Sequence, residues 1–155
     1  MRFARIMNVT GTIDAILNQK SGEIHSVSPD ATVYDAIALM AEKNIGALLV
    51  IDGGQLAGIL SERDYTRKVM LRGKRSRETQ VREIMSTQLT TVDPKETVDD
   101  CLRSMTEKRV RHLPVVSNGE IRGVISIGDL VKHVISVQGA ALDQLERYIS
   151  GGYAN

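Results

Sequence analysis

The pattern of apolar positions along the chain occurs twice. Apolar residues recur three or four positions apart in two stretches: Val33, Ile37 and Met40, then Val98, Leu102 and Met105. This spacing predicts a helix with one buried face in each stretch. Two short apolar runs follow each helix, separated by Asp52-Gly53-Gly54 in the first case and Ser117-Asn118-Gly119 in the second. Because glycine and asparagine tolerate positive φ, each pair of runs predicts a β-hairpin.

The two stretches belong to a longer internal duplication. Val27–Met70 aligns with Val92–Ile135 without a gap, at an offset of 65 positions. Fifteen aligned positions are identical, too many over one ungapped register for a chance match. The chain therefore contains two copies of one structural unit, and this repeat is its strongest signal.

Each copy predicts the order strand, helix, strand, strand, helix. The first strands, Glu23–Val27 and Gln88–Val92, end just before a proline, which cannot continue a strand ladder. Thr32 and Thr97 are the expected N-caps of the helices that follow. The last helices are predicted from Asp64 to Leu71 and from Asp129 to Val137.

This element order predicts the fold class and the domains. We expect an α/β (α+β) protein in which two pseudo-symmetric β-α-β-β-α units pack sheet to sheet, because a unit of roughly 55 residues buries too little surface alone. The predicted domains are residues 12–76, which include a short helix at Thr12–Leu17, and residues 77–138. Residues 139–155 form a C-terminal helix and tail. The amphipathic spacing within Ala140–Ile149 suits a helix that covers a core edge or a partner subunit.

The composition limits the classes of partner. The formal net charge is +1 and aromatic residues make up 3% of the chain, so neither a strong positive field nor a base-stacking platform favours nucleic acid. The chain has one cysteine, Cys101, and its three histidines lack metal-ligand spacing. No apolar run approaches the ~18 residues of a membrane span, and the start lacks a signal-peptide pattern. We expect a cytoplasmic protein with no metal, membrane or nucleic-acid partner.

A polar motif stands at the same place in both copies. "GILSERD" (Gly58–Asp64) and "GVISIGD" (Gly123–Asp129) each end an apolar strand with a serine and place an aspartate three residues later. An aspartate at the start of a helix can serve as a cap. A carboxylate can also accept hydrogen bonds from both hydroxyls of a ribose, with the serine as an added contact. The residues alone leave capping and ribose binding open, and the two roles are compatible.

These motifs, the "RHLPVV" segment at Arg111–Val116 and the element order resemble a tandem pair of cystathionine-beta-synthase (CBS) domains, called a Bateman module. The resemblance covers about Thr12 to Val137. It implies regulatory binding of adenine nucleotides or related adenosyl ligands in clefts where two units meet. It also implies a homodimer, since members commonly form a flat disk.

The resemblance implies a set of ligand-binding residues. Ser61, Asp64, Ser126 and Asp129 would hold ribose, and Arg111 and His112 would supply charge to the phosphates. Arg63 could reach a phosphate in the first copy, where the small Gly46 and Ala47 leave room for a base or a backbone contact. Adenine would rest against backbone groups and apolar walls at four further positions: His25, Thr90, Ile45 and Val110. Because Arg111 and His112 have no charged counterparts in the first copy, the two sites are expected to differ.

Two functions from different classes remain open at this stage. The first is a sensor that binds AMP, ADP or ATP, with NAD as a variant, and signals to an unknown client protein. S-adenosylmethionine is less favoured because basic residues lie near the motif. The second is an oligomerisation or interaction module without a physiological nucleotide. An enzyme is the weakest hypothesis, because no catalytic residue set or phosphate-binding glycine loop is recognisable. The basic segment Arg72–Gln80 is either a solvated linker or a phosphate contact.

Overall fold

The computed structural model describes residues 11–20 and 22–154. Most of the start of the chain, where the sequence predicts no signal peptide, lies outside the described residues. The helices and strands follow in this order: α1 (Ile13–Gln19), β1 (Ser26–Val27), α2 (Val33–Lys43), β2 (Ala47–Asp52), β3 (Gln55–Ser61), α3 (Glu62–Tyr65), α4 (Val98–Lys108), β4 (His112–Ser117), β5 (Glu120–Ser126) and α5 (Ile127–Ala154). A π-helix, Thr66–Met70, continues α3, and two 3₁₀ turns, Ser76–Glu78 and Val81–Glu83, lie before α4. The mixed α/β fold class is confirmed.

The strands form two sheets. In the first, β1 pairs parallel to β2 and β2 pairs antiparallel to β3, while β4 and β5 form the second. Both central turn residues have positive φ in each hairpin: Gly53 and Gly54 in the first, Asn118 and Gly119 in the second. This is the backbone that matches the twist of antiparallel strands. The prediction of a hairpin in each copy is confirmed.

The central helices, α2 and α4, begin and end alike. The hydroxyls of Thr32 and Thr97 accept the backbone N–H groups of Asp35 and Asp100, each at 3.1 Å. The predicted N-caps are therefore present. Asn44 and Arg109, which also correspond in the repeat, end the helices in the left-handed conformation at φ 55°. The first and last apolar residues of each predicted helical stripe are buried: Val33, Met40, Val98 and Met105.

The first strands differ from the prediction. Only Ser26–Val27 of the predicted Glu23–Val27 is a strand, and the predicted strand Gln88–Val92 is absent apart from a single bridge residue, Val92. Upstream of that segment, Ser86 exchanges two backbone hydrogen bonds with Ile59 of β3. The chain is thus already paired just before it reaches the predicted strand.

The last helices also differ. In the first copy the helix begins at Glu62, two residues before the predicted start, and widens into the π-helix, where Leu71 donates its N–H to the carbonyl of Thr66 at 3.0 Å. In the second copy the predicted helices 129–137 and 140–149 are one continuous helix, α5. Nothing between them stops the helix, since a single glycine, Gly139, weakens a helix without ending it.

The described chain divides into two compact units that do not coincide with the two copies. One unit comprises the chain up to Gly22, Val92–His112 and the chain from Ile125 onward; the other comprises Glu23–Thr91 and Leu113–Val124. We call them the helical unit and the sheet unit. The domain bounds 12–76, 77–138 and 139–155 stay predictions.

Each unit has buried apolar residues of its own. In the sheet unit one cluster joins α2, β2, β3 and the segment after α3: Val33, Ala36, Met40, Leu48, Val50, Leu60, Val69, Val81 and Ile84. In the helical unit, α1 and α4 both contact α5. The fully or nearly fully buried side chains of those helices are Ile13, Ile16, Val98, Cys101, Met105 and Leu130. No helix among the described residues is long and apolar enough to cross a bilayer.

Candidate functional site

The serine and aspartate of the first motif form a capping box at the start of α3. Asp64 Oδ2 accepts the backbone N–H of Ser61 at 2.9 Å and its hydroxyl at 3.1 Å, and the Ser61 hydroxyl accepts the N–H of Asp64 at 3.2 Å. Two backbone donors at the helix start are thereby satisfied. Capping thus accounts for this serine and aspartate without a ligand.

The second motif repeats this geometry at the start of α5. Asp129 Oδ2 accepts the backbone N–H of Ser126 at 2.9 Å, and the Ser126 hydroxyl accepts the N–H of Asp129 at 3.1 Å. A carboxylate has about four lone-pair positions, so in both copies one oxygen takes the cap while acceptor capacity remains on the other.

A backbone hydrogen bond ties the hairpin entrance to each motif. Gly46 accepts the N–H of Glu62 at 3.0 Å, and the corresponding Arg111 accepts the N–H of Ile127 at 2.8 Å. In the first copy Ala47 is also the direct strand partner of Ser61. The predicted residues at positions 46–47 and 111–112 therefore lie beside the motif of their own copy.

A lysine lies against each motif aspartate, and the two lysines come from different places. Lys20, just after α1, has its Nζ 2.7 Å from Asp129 Oδ2. Lys68, within the π-helix, has its Nζ 3.1 Å from Asp64 Oδ1 and 2.8 Å from the carbonyl oxygen of Ile84. Both pairs are partly exposed, so water screens them. Each copy thus combines an anionic acceptor with a cation.

The contacts of Asp129 keep it ionised. Burial alone would raise the pKa of the Asp129 carboxyl, but the hydrogen bonds from Lys20 and from Ser126 outweigh it, and the pKa lies below its usual value. Asp129 is therefore a carboxylate at neutral pH. It offers acceptors and no donor, which suits a ligand that presents hydroxyl groups.

His112 is neutral where Arg111 is charged. Burial lowers the pKa of the His112 imidazole below its usual value; Asp129 opposes this effect, while Lys20 and Arg111 add to it. His112 therefore adds no positive charge at neutral pH, whereas Arg111 is exposed, and a phosphate contact by either residue stays a prediction. His112 is a neutral hydrogen-bonding group next to Asp129 at neutral pH.

The other predicted residues lie in varied positions. His25 precedes β1 and its carbonyl accepts the N–H of Leu49 at 3.4 Å. Ile45 packs against the core cluster of the sheet unit, and Arg63 is exposed within α3. Val110 is 37% exposed beside Arg111, and Thr90 is half-buried in the sheet unit. No side-chain hydrogen bond or ion pair joins any of these five described residues to a motif aspartate, and their roles stay predictions.

Neither lysine is among the residues that the sequence predicts for the site. Lys68 stands four residues after Asp64, the spacing at which helical side chains of opposite charge pair, so the pattern could have revealed it. Lys20 stands 109 positions from Asp129. It lies outside the aligned repeat Val27–Met70, so neither local spacing nor the duplication indicates it.

The glycine that opens the first motif is required by close packing. A Cβ on Gly58 would lie 2.8 Å from the carbonyl oxygen of Ser86 and 2.9 Å from the sulfur of Met85. Because the first of these atoms is backbone, it cannot move without disturbing the two hydrogen bonds between Ser86 and Ile59. Gly58 thus lets the chain before the second copy lie against β3.

Comparisons with known proteins agree with the duplication. Residues 20–71 and residues 81–136 each match the CBS domain. The chain is 43% identical over 129 residues to the mitochondrial CBS domain-containing protein CBSX3 of Arabidopsis thaliana; the match covers 80% of this chain and 63% of the plant protein. The chain therefore spans less than two thirds of that relative.

Solved structures share the fold. One is a CBS-domain protein of Burkholderia ambifaria MC40-6, named as a candidate signal-transduction protein, with 51% sequence identity to this chain. The superposition covers 81% of this chain and 95% of the Burkholderia chain, with a TM-score of 0.79. The CBS domain pair of protein MJ0100, solved with 5′-methylthioadenosine and S-adenosyl-L-methionine, is 22% identical with a TM-score of 0.70, over 79% of this chain and 94% of its own. The chain belongs to the CBS-domain family and carries two CBS domains in tandem.

Proposed function

We propose that the chain is a regulatory module that binds an adenine nucleotide (AMP, ADP, ATP or NAD) and signals to a partner by a ligand-dependent change of conformation. The observation that carries this proposal is the pairing of a motif carboxylate with a lysine in both copies: Asp129 with Lys20 and Asp64 with Lys68. A helix cap requires the carboxylate but not the cation.

The carboxylate suits the ribose of the ligand. Vicinal ribose hydroxyls can both donate to one carboxylate, as in dinucleotide-binding folds. The hydrogen bonds from Lys20 and Ser126 stabilise the charge of Asp129 and lower the pKa of its carboxyl. The Ser126 hydroxyl, which meets the Asp129 N–H at 3.1 Å, lies within the same turn. A ribose at this position would therefore meet two residues of one rigid capping box.

The cations suit the phosphates. Lys20 and Arg111 are two positive groups close to Asp129 and His112 in the helical unit. Arginine binds phosphate through a two-pronged fork and lysine as a point charge. A phosphorylated ligand uses both groups, whereas S-adenosylmethionine carries a positive sulfonium and would meet repulsion. This favours AMP, ADP, ATP or NAD over the adenosyl ligands bound by MJ0100.

The two copies are proposed to bind ligand unequally. In the first copy Lys68 pairs with Asp64 and the neighbouring Arg63 is exposed, whereas Gly46 and Ala47 stand where Arg111 and His112 stand in the second. Lys68 is also held by the Ile84 carbonyl at 2.8 Å. That bond reduces the availability of Lys68 to a phosphate. We expect tighter nucleotide binding at Asp129 than at Asp64.

The adenine base is assigned to the remaining predicted residues. His25 and Ile45 would border the base in the first copy, and Thr90 and Val110 in the second. The half-buried or exposed state of these residues is compatible with contact to a ligand. As a sensor, the module would act as a homodimer in the cytoplasm on a client protein, by binding rather than catalysis. The conformational shift can be no larger than the difference in ligand affinity between the two states.

A second function is favoured by one observation. Both capping boxes are complete without a ligand, since Ser61 and Asp64, and likewise Ser126 and Asp129, already bond to each other. An interaction module without a nucleotide would have the same caps. It would not require Lys20 beside Asp129.

Isothermal titration calorimetry distinguishes the two functions. AMP, ATP, NAD and S-adenosylmethionine are titrated into wild type, Asp64→Asn and Asp129→Asn, since asparagine keeps a capping oxygen and removes the charge. Thr97→Ala is the matched control, because it removes a cap in the same unit as Asp129 without touching the motif. The sensor predicts micromolar binding of a phosphorylated ligand that Asp129→Asn weakens and Thr97→Ala does not. Absence of binding by folded, nucleotide-free wild type would support the interaction module.

A further inference from the structure

The C-terminal half of α5 extends beyond the core. Leu130 is buried, and Val134 and Val137 are half-buried. From Gln138 to Ile149 every side chain is exposed. A lone helix projecting into water needs packing against another element to be stable. This half of the helix therefore lacks a partner within the described chain.

An apolar stripe with a heptad period runs along α5 from Val131 into this exposed half. Its residues are spaced alternately four and three apart: Val131, Ile135, Gln138, Leu142, Leu145 and Ile149. The five apolar members are 46%, 63%, 61%, 54% and 52% exposed in chain order. This 3.5-residue period is that of a coiled-coil seam, with Ile135, Leu142 and Ile149 at a and the others at d.

We propose that this stripe pairs with the same stripe of a second copy as an antiparallel two-helix coiled coil. In that register three layers repeat about the two-fold axis: Val131 with Ile149 of the second copy, Ile135 with Leu145, and Gln138 with Leu142. The axis passes near Ala140. The seam spans 18 residue steps, about 27 Å at the helical rise. It goes beyond the proposed sensor and does not depend on nucleotide binding.

Charge complementarity selects the antiparallel direction. Lys132 and Glu146 are the charged residues at the e positions that flank the seam. Antiparallel helices bring e positions together, so Lys132 would face Glu146 of the second copy, twice by symmetry. In a parallel pair, Lys132 would instead face Ile127 and Glu146 would face Ala141. Neither charge then has an opposite partner.

The centre of the seam also suits close approach of two helices. The residues that flank the seam at its centre are small: Gly139 at e and Ala141 at g. Small flanking residues let helix axes come near without steric conflict. In the parallel direction Gln138 would face its own copy, whereas the antiparallel direction places it against Leu142. Gln138→Leu is therefore expected to tighten the dimer.

Disulfide trapping tests the partner and the direction together. Ile135→Cys and Leu145→Cys variants are prepared separately and mixed under a mild oxidant. Native Cys101 does not interfere, because it is 1% exposed and burial raises its pKa to about 11. The antiparallel pair predicts a covalent dimer from the mixture but not from either variant alone. Dimers from each variant alone would show a parallel pair, and no cross-link in either case would overturn the pairing.

Sedimentation equilibrium tests the seam without cysteines. Leu142→Glu is expected to raise the dimer dissociation constant by about 100-fold or more, since it buries a charge in the seam. Ala140→Glu is the matched control at the outward f position and should change it little. Lys132→Glu should weaken the dimer, and adding Glu146→Lys should restore it. A monomeric wild type, or a dimer that Leu142→Glu leaves unchanged, would overturn the proposal.

Discussion

The ammonium of Lys20 lies 2.7 Å from the carboxylate of Asp129, although 109 positions separate them in sequence. The contact joins the segment after α1 to the start of α5 within the helical unit. It places a cation beside the acceptor that we assign to ribose. A ligand that carries both a ribose and a phosphate could use Asp129 for the first and Lys20 for the second.

Replacement of Lys20 should therefore separate phosphate binding from ribose binding. We expect Lys20→Gln to weaken AMP binding by about 10-fold or more, because it removes one charge-assisted hydrogen bond. Binding of adenosine should be unchanged or stronger, since Asp129 loses a competing partner. Calorimetric titration of both ligands measures the difference. An equal loss for AMP and adenosine would show that Lys20 acts only by holding Asp129 in place.

The neutral His112 should make the protein acid-sensitive. Its folded pKa lies below its ordinary value of 6.5, so the unfolded chain binds the proton more readily. The contribution of His112 to the free energy of unfolding is thus present above about pH 6.5. It is lost as the pH falls towards the pKa of His112 in the folded protein. Asp129 affects stability in a lower pH range. The pKa of its carboxyl lies below the ordinary value of 3.8, so its contribution to the free energy of unfolding is lost only as the pH falls below about that value.

Urea unfolding at several pH values checks this prediction. Between pH 7.5 and pH 5 the free energy of unfolding of wild type should fall more steeply than that of His112→Gln, because glutamine does not titrate. Equal slopes for the two proteins would contradict the assignment of a lowered pKa to His112.

The close contact at Gly58 predicts a stability loss without a ligand. Gly58→Ala should lower the free energy of unfolding by about 1–3 kcal/mol, because the added methyl group conflicts with the Ser86 carbonyl oxygen. Gly22→Ala is the control, since a Cβ there meets nothing within 4 Å. Chemical denaturation of both variants gives the comparison. A loss in Gly22→Ala as large as in Gly58→Ala would contradict the steric explanation.

Local features of the fold could be predicted from the sequence. The Thr32 and Thr97 caps, and the turns at Gly53–Gly54 and Asn118–Gly119, depend on residues within a few positions of each other. The duplication supports the predictions of the caps and of the turns, because the same pattern occurs in both copies.

Features that depend on distant contacts could not be predicted. The segment Gln88–Val92 has strand-like residues, yet the chain is already held by Ser86 against Ile59 and forms only one bridge. The π-helix after α3 could not be predicted either, because no residue pattern indicates a π-helix in the way that a threonine indicates an N-cap. Lys20 completes the site from a segment outside the aligned repeat, so the duplication that revealed Asp129 could not reveal its partner.

If a motif carboxylate binds the ribose of an adenine nucleotide, the 2′-hydroxyl of the ribose contributes to affinity. A calorimetric cycle that compares AMP with 2′-deoxy-AMP in wild type, Asp64→Asn and Asp129→Asn tests this most directly. We expect wild type to prefer AMP by about 10-fold, the effect of one hydrogen bond to a charged group, and we expect Asp129→Asn to abolish the preference. No preference in wild type, or the same preference in all three proteins, would show that neither carboxylate binds the ribose.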